Sequence, residues 1–92
     1  MKTFSDLKVG DRIYCIDHKH GIHISEIWCI KQNQIFNYYI MYLNSIIGNI
    51  GEEFRISEAI CNLPYFVNTY GFCFADENKF LERLKQVTKK DG

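Results

Sequence analysis

A chain of 92 residues with 11 Lys+Arg against 11 Asp+Glu has a formal charge of zero, so it lacks the basic excess of a protein that binds nucleic acid by bulk charge. Hydrophobic residues make up 47% and aromatics 15% of it, which excludes a disordered polypeptide, and no apolar run approaches the roughly 18 residues of a membrane span. The length fits one domain, residues 1–92, with strands expected in 1–75 and a helix in 76–90.

In chain order, Phe4 to Asp11 predicts a lead-in arm ending in the turn dipeptide Gly10-Asp11. Arg12–Asp17 is rich in β-formers, His18-Lys19-His20-Gly21 is a polar turn, and Ile22–Lys31 is again β-rich, so the three predict a hairpin. The second strand admits two registers. In one, Ile22, Ile24, Trp28 and Ile30 share a face that only Glu26 interrupts. In the other, a bulge near Ser25-Glu26 turns Ile27 and Cys29 inward. Gln32-Asn33 is expected to turn the chain into a third strand, Gln34–Leu43. That strand is apolar on both sides, with Ile35, Tyr39, Met41 and Leu43 on one face and Phe36, Tyr38, Ile40 and Tyr42 on the other. One face belongs to the core. The other needs a cover, either a second element or another molecule.

Asn44–Glu53 carries Gly48 and Gly51 and reads as a loop. Phe54–Ser57 alternates and predicts a fourth strand. Glu58–Leu63 is open between strand and a short helical turn ahead of Pro64. Tyr65-Phe66-Val67 follows, Asn68 is a turn residue, and Tyr70–Phe74 predicts a fifth strand. Asp76 then suits a helix N-cap, with Glu77 at the positive end of the dipole. Phe80, Leu81, Leu84 and Val87 recur at helical spacing, Lys85, Lys89 and Lys90 gather at the far end, and Asp91-Gly92 closes the helix. The expected class is α+β, mostly β: a small, five-stranded, antiparallel, partly open barrel with one C-terminal amphipathic helix that caps a mouth or covers a face.

Leu7-Lys8-Val9-Gly10-Asp11-Arg12-Ile13-Tyr14 resembles the opening of SH3-like small barrels, where a Gly-Asp turn leads into the first long strand. Gly71-Phe72-Cys73-Phe74-Ala75-Asp76-Glu77-Asn78 is similar to the strand-to-helix junction of small uncharacterised proteins from phages and bacterial mobile elements. The resemblance implies an SH3-like barrel and an accessory or inhibitory role toward a host protein. It carries over no functional residue.

Cys15, His18, His20 and His23 place four metal-ligand types within nine residues. Zinc commonly takes ligand pairs from separate elements, whereas His18, His20 and His23 lie around one hairpin tip and Cys15 is expected in the core on the opposite side. The plainer expectation is a solvated polar turn, with no metal and no cofactor. Cys15, Cys29, Cys61 and Cys73 each adjoin apolar residues, and the polar start Met1-Lys2-Thr3-Phe4-Ser5-Asp6 has no secretory h-region. Together they predict reduced core thiols in a cytoplasmic protein. No nucleophile–base motif or phosphate-cradling loop is present, and the adjacent Glu52 and Glu53 read as solvated, so the chain is expected not to be an enzyme.

Binding remains. The second face of strand three (Phe36, Tyr38, Ile40, Tyr42), with Trp28, is the expected docking surface for a protein partner or a second copy of the chain. The alternative is a nucleic-acid platform on Trp28, Tyr38, Tyr42, Tyr65 and Tyr70, helped by Arg12, Lys19, Lys31 and Arg55 and by the lysines of the helix end. No membrane partner is expected.

Overall fold

The computed structural model describes residues 1–89. After a 3-10 turn at Phe4–Asp6 come β1 (Arg12–Asp17), β2 (Ile22–Asn33), β3 (Tyr38–Ile47), β4 (Glu53–Ser57), β5 (Tyr65–Asn68), β6 (Gly71–Phe74) and α1 (Glu77–Lys89). The expected helix end at Lys90, Asp91 and Gly92 lies outside the described residues.

Side chains that bond to their own turns set the hairpins. The Asp17 carboxylate accepts the backbone N–H groups of Lys19 (2.9 Å) and Gly21 (2.7 Å) and so folds the β1–β2 turn. Asn33 Oδ1 accepts from Ile35 N and Phe36 N, and Asn37 takes a left-handed φ of 50°. The β2–β3 turn therefore falls at 34–37, two residues later than expected. Ile35 and Phe36 belong to the hairpin tip and not to strand three. Asn68 Oδ1 accepts from Tyr70 N and Gly71 N and closes the β5–β6 hairpin. This turn makes Tyr65–Asn68 a strand, so the sheet has six strands and not the five expected from the sequence.

The order is β4-β3-β2-β1-β6-β5, every neighbouring pair antiparallel. One face collects Ile13, Cys15, Ile27, Met41, Leu43, Ile56 and Cys73 into the main core. The β2–β3 ladder slips at Ile24/Ser25 and at Ile27/Cys29. Ile27 is thereby buried as the bulged register expected, but Cys29 pairs with the outward Tyr42 and is not a core residue.

The sheet curls without closing. Its edges β4 and β5 meet through side chains, with the rings of Phe54 and Phe66 5.5 Å apart and Phe4 packed against both (6.3 and 5.3 Å). Backbone bonds Phe4 N–H to Leu63 O and Ser5 N–H to Cys61 O pin the N-terminal turn to the β4–β5 connection. That connection, 58–63, is a run of hydrogen-bonded turns, neither strand nor helix. The result is a half-barrel, plugged at one end and open at the other.

Asp76 Oδ2 accepts from Lys79 N, so Asp76 caps α1 as expected. The helix lies on the outer face of β1 and β6. Phe80 stacks on Tyr14 at 5.0 Å and meets Phe74 edge-on at 6.0 Å, and the Arg83 guanidinium sits 4.2 Å from the Phe72 ring centroid. Ile16, Phe74 and Phe80 form a second small core there. Leu81 points to solvent. Among the described residues, no helix is long and apolar enough to cross a membrane.

Candidate functional site

The helix leaves β2, β3 and β4 uncovered on their outer face. In β3, Met41 and Leu43 are buried and Tyr39 packs on the core, so Tyr38, Ile40 and Tyr42 point the other way. Cross-strand pairing puts Lys31 and Arg55 on either side of Ile40. Lys31 Nζ lies 5.6 Å from the Tyr42 ring centroid, and the Arg55 guanidinium 5.5 Å from that of Tyr38. Trp28, 55% exposed at the second bulge, tilts against Tyr42 at 5.6 Å. Phe36, 71% exposed on the hairpin tip, stacks on Tyr38 at 6.4 Å. Trp28, Tyr42, Ile40, Tyr38 and Phe36 thus make one stripe with two cations set into it. All five expected docking residues share this face. Lys31 and Arg55 complete it; the alternation around inward Phe54 and Ile56 already places Arg55 outward, whereas the position of Lys31 depends on the bulge.

The opposite face carries a cleft of about 710 Å³ at the open end of the half-barrel, lined among others by Cys15, Cys73, Phe54, Phe66, His23 and Asn68. Register places Phe66, Cys73, Cys15 and His23 in one row across β5, β6, β1 and β2. Cys15 therefore lies on the same face as His23, not on the opposite side as expected. The Cys15 and Cys73 sulfurs are 3.1 Å apart.

The histidines do not converge. His18 Nε2 bonds the Thr69 carbonyl at 2.8 Å, and His20 is an exposed turn residue with φ 66°. His23 Nδ1 accepts the Asn49 N–H at 3.0 Å, so its proton is on Nε2, which donates to Asp17 Oδ2 at 2.8 Å. With both ring nitrogens engaged, His23 has none free to deprotonate Cys15. Asp17, accepting from His23 and from two backbone N–H groups, is held below its ordinary 3.8. His18, Lys19 and His20 are exposed, as expected of a polar turn, whereas His23 is half-buried and bonded through both ring nitrogens. Among the described residues, no group of three or more His, Cys, Asp or Glu side chains is placed to hold a metal ion.

Glu53 lies 3.7 Å from Arg55, and Glu52 is exposed. Tyr65 packs on Phe72 and Phe74 at the edge of the helix-covered face, away from the stripe. The residues of the nucleic-acid reading are therefore split between two surfaces. The chain matches no family model, and no curated protein or solved structure is found similar to it.

Proposed function

We propose that this chain is a non-catalytic protein-binding module that docks through the outer face of β2, β3 and β4. Its partner is a protein surface with an apolar centre and a carboxylate rim. The observation that carries this is the placement of α1 on β1 and β6, which leaves the stripe free of the helix, with Trp28 and Phe36 exposed at its ends and Tyr42, Ile40 and Tyr38 half-buried between them. Aromatic residues and Arg are the side chains enriched at interface centres, and Lys31 gives the partner's rim its sign, Arg55 being shared with Glu53. The engaged state of both His23 nitrogens supports a role without catalysis. Four free cysteines suit a reducing cytoplasm. The mobile-element resemblance adds that the target is a host protein, held or inhibited by the contact.

The test is capture on the immobilised chain after nuclease treatment. A protein held through ~0.5 M salt, lost on Ile40→Glu and on Trp28→Ala, and retained by Val67→Ala on the far edge strand is the expected result. Capture that ignores the stripe variants contradicts the assignment.

The stacking of Lys31 on Tyr42 and Arg55 on Tyr38 favours a second reading, a single-stranded nucleic-acid platform. A labelled oligonucleotide whose affinity falls steeply with salt and vanishes in Tyr42→Ala would put it first.

A further inference from the structure

The two thiols at the floor of the cleft are arranged for chemistry that the docking face does not use. We propose that Cys15 and Cys73 form a thiol–disulfide exchange site that reacts with low-molecular-weight disulfides entering the cleft.

The β1–β6 ladder places the pair within the span of a disulfide. Cys15 and Cys73 are direct partners in the β1–β6 ladder. Directly opposite residues of antiparallel strands have Cα atoms about 4.5–5.5 Å apart, within the roughly 4.4–6.8 Å that a disulfide spans. Their sulfurs stand 3.1 Å apart against about 2.05 Å in the bond, so closure needs side-chain adjustment and no strand movement. Both thiols line the cleft, whose volume of about 710 Å³ is in the range that admits a small molecule.

The surroundings separate the two roles. Cys73 Sγ accepts from the Cys15 S–H and from Asn68 Nδ2 at 3.7 Å. Both contacts favour its thiolate, and its pKa lies below the ordinary value. Cys15, whose proton is shared toward Cys73 and which is buried, is pushed up. Cys73 is therefore the attacking sulfur and Cys15 the resolving one. Cys29 and Cys61 offer no such pair: Cys29 faces outward beside Tyr42, and Cys61 donates to the Glu58 carbonyl.

The exchange balances in two steps. The Cys73 thiolate attacks one sulfur of the small disulfide, forms a mixed disulfide and expels a thiolate, which takes up the proton lost by Cys73. Cys15 then gives up its proton, attacks the Cys73 sulfur and expels the second small thiolate, which takes that proton. Two protein thiols are oxidised to one disulfide, and one small disulfide is reduced to two thiols.

The test is incubation of the unsubstituted 92-residue chain with oxidised glutathione, acid trapping, and mapping of its peptides by mass spectrometry. The expected product is a Cys15–Cys73 cross-link, two hydrogens lighter than the separate peptides, formed while the circular dichroism spectrum stays native. Cys15→Ser should instead accumulate glutathione on Cys73. Asn68→Asp keeps the Oδ1 that caps the β5–β6 turn but replaces the donor with a negative charge, and should slow exchange about tenfold. Glutathione on Cys29 with Cys15 and Cys73 still free, or a cross-link that forms only in denaturant, would overturn the proposal. Both of those readings come from the unsubstituted chain, so they hold even where a variant fails to fold.

Discussion

Gly71 occupies a position no other residue fits. Its φ is 143°, and a Cβ there would collide with the Ile16 carbonyl oxygen. Gly71→Ala should destabilise the fold by about 2–4 kcal/mol, read from urea unfolding. Ser25 is the converse case. It is wholly buried, and its hydroxyl finds no hydrogen-bond partner, so Ser25→Ala should leave stability unchanged or raise it by about 1 kcal/mol. Asp17 ties stability to pH. Its carboxylate is held below 3.8 in the fold, first by the His23 side chain and then by the Gly21 N–H. A carboxylate lowered by folding contributes stability above its unfolded value and loses it as pH falls through the folded one. Melting curves should therefore show Asp17→Asn less stable than the natural chain at neutral pH, with the gap closing below pH 3.8.

At the scale of elements, closure depends on a wedge and not on a ladder. Phe4 packs against both Phe54 of β4 and Phe66 of β5, whose rings also touch each other. Phe4→Ala should cost about 3–5 kcal/mol, and hydrogen exchange should show β4 and β5 losing protection before β1 and β2. Most of this framework is legible in the sequence, because alternation in Tyr39-Ile40-Met41-Tyr42-Leu43 and helical spacing from Phe80 to Val87 are local signals. The errors have local causes as well. Ile35 and Phe36 look like strand residues because they are apolar, but Asn33 and Asn37 supply the turn chemistry and leave them exposed. Tyr65–Asn68 is too short to announce itself as a strand and becomes one only through the Asn68 turn. The β1–β6 pairing joins residues 58 apart at Cys15 and Cys73. No local pattern encodes that contact, so neither the dithiol nor the cleft above it is visible in the sequence.

For the whole molecule, the decisive fact is which half of the outer sheet surface receives the helix. Phe80 commits α1 to Tyr14 and Phe74, and the stripe from Trp28 to Phe36 is left open. The sequence poses this choice, since strand three is apolar on both faces, but it cannot answer it: the helix spacing specifies an apolar stripe and not the surface it meets. Ile40 stands at the centre of the open half, between Lys31 and Arg55, and a charge there separates a docking face from a core. The most direct measurement is the melting temperature of Ile40→Glu beside its capture of the partner. A melting temperature within a few degrees of the natural chain together with lost capture is the predicted result. A variant that unfolds would place Ile40 in the core, and a stable variant that still holds the partner would place the docking surface elsewhere.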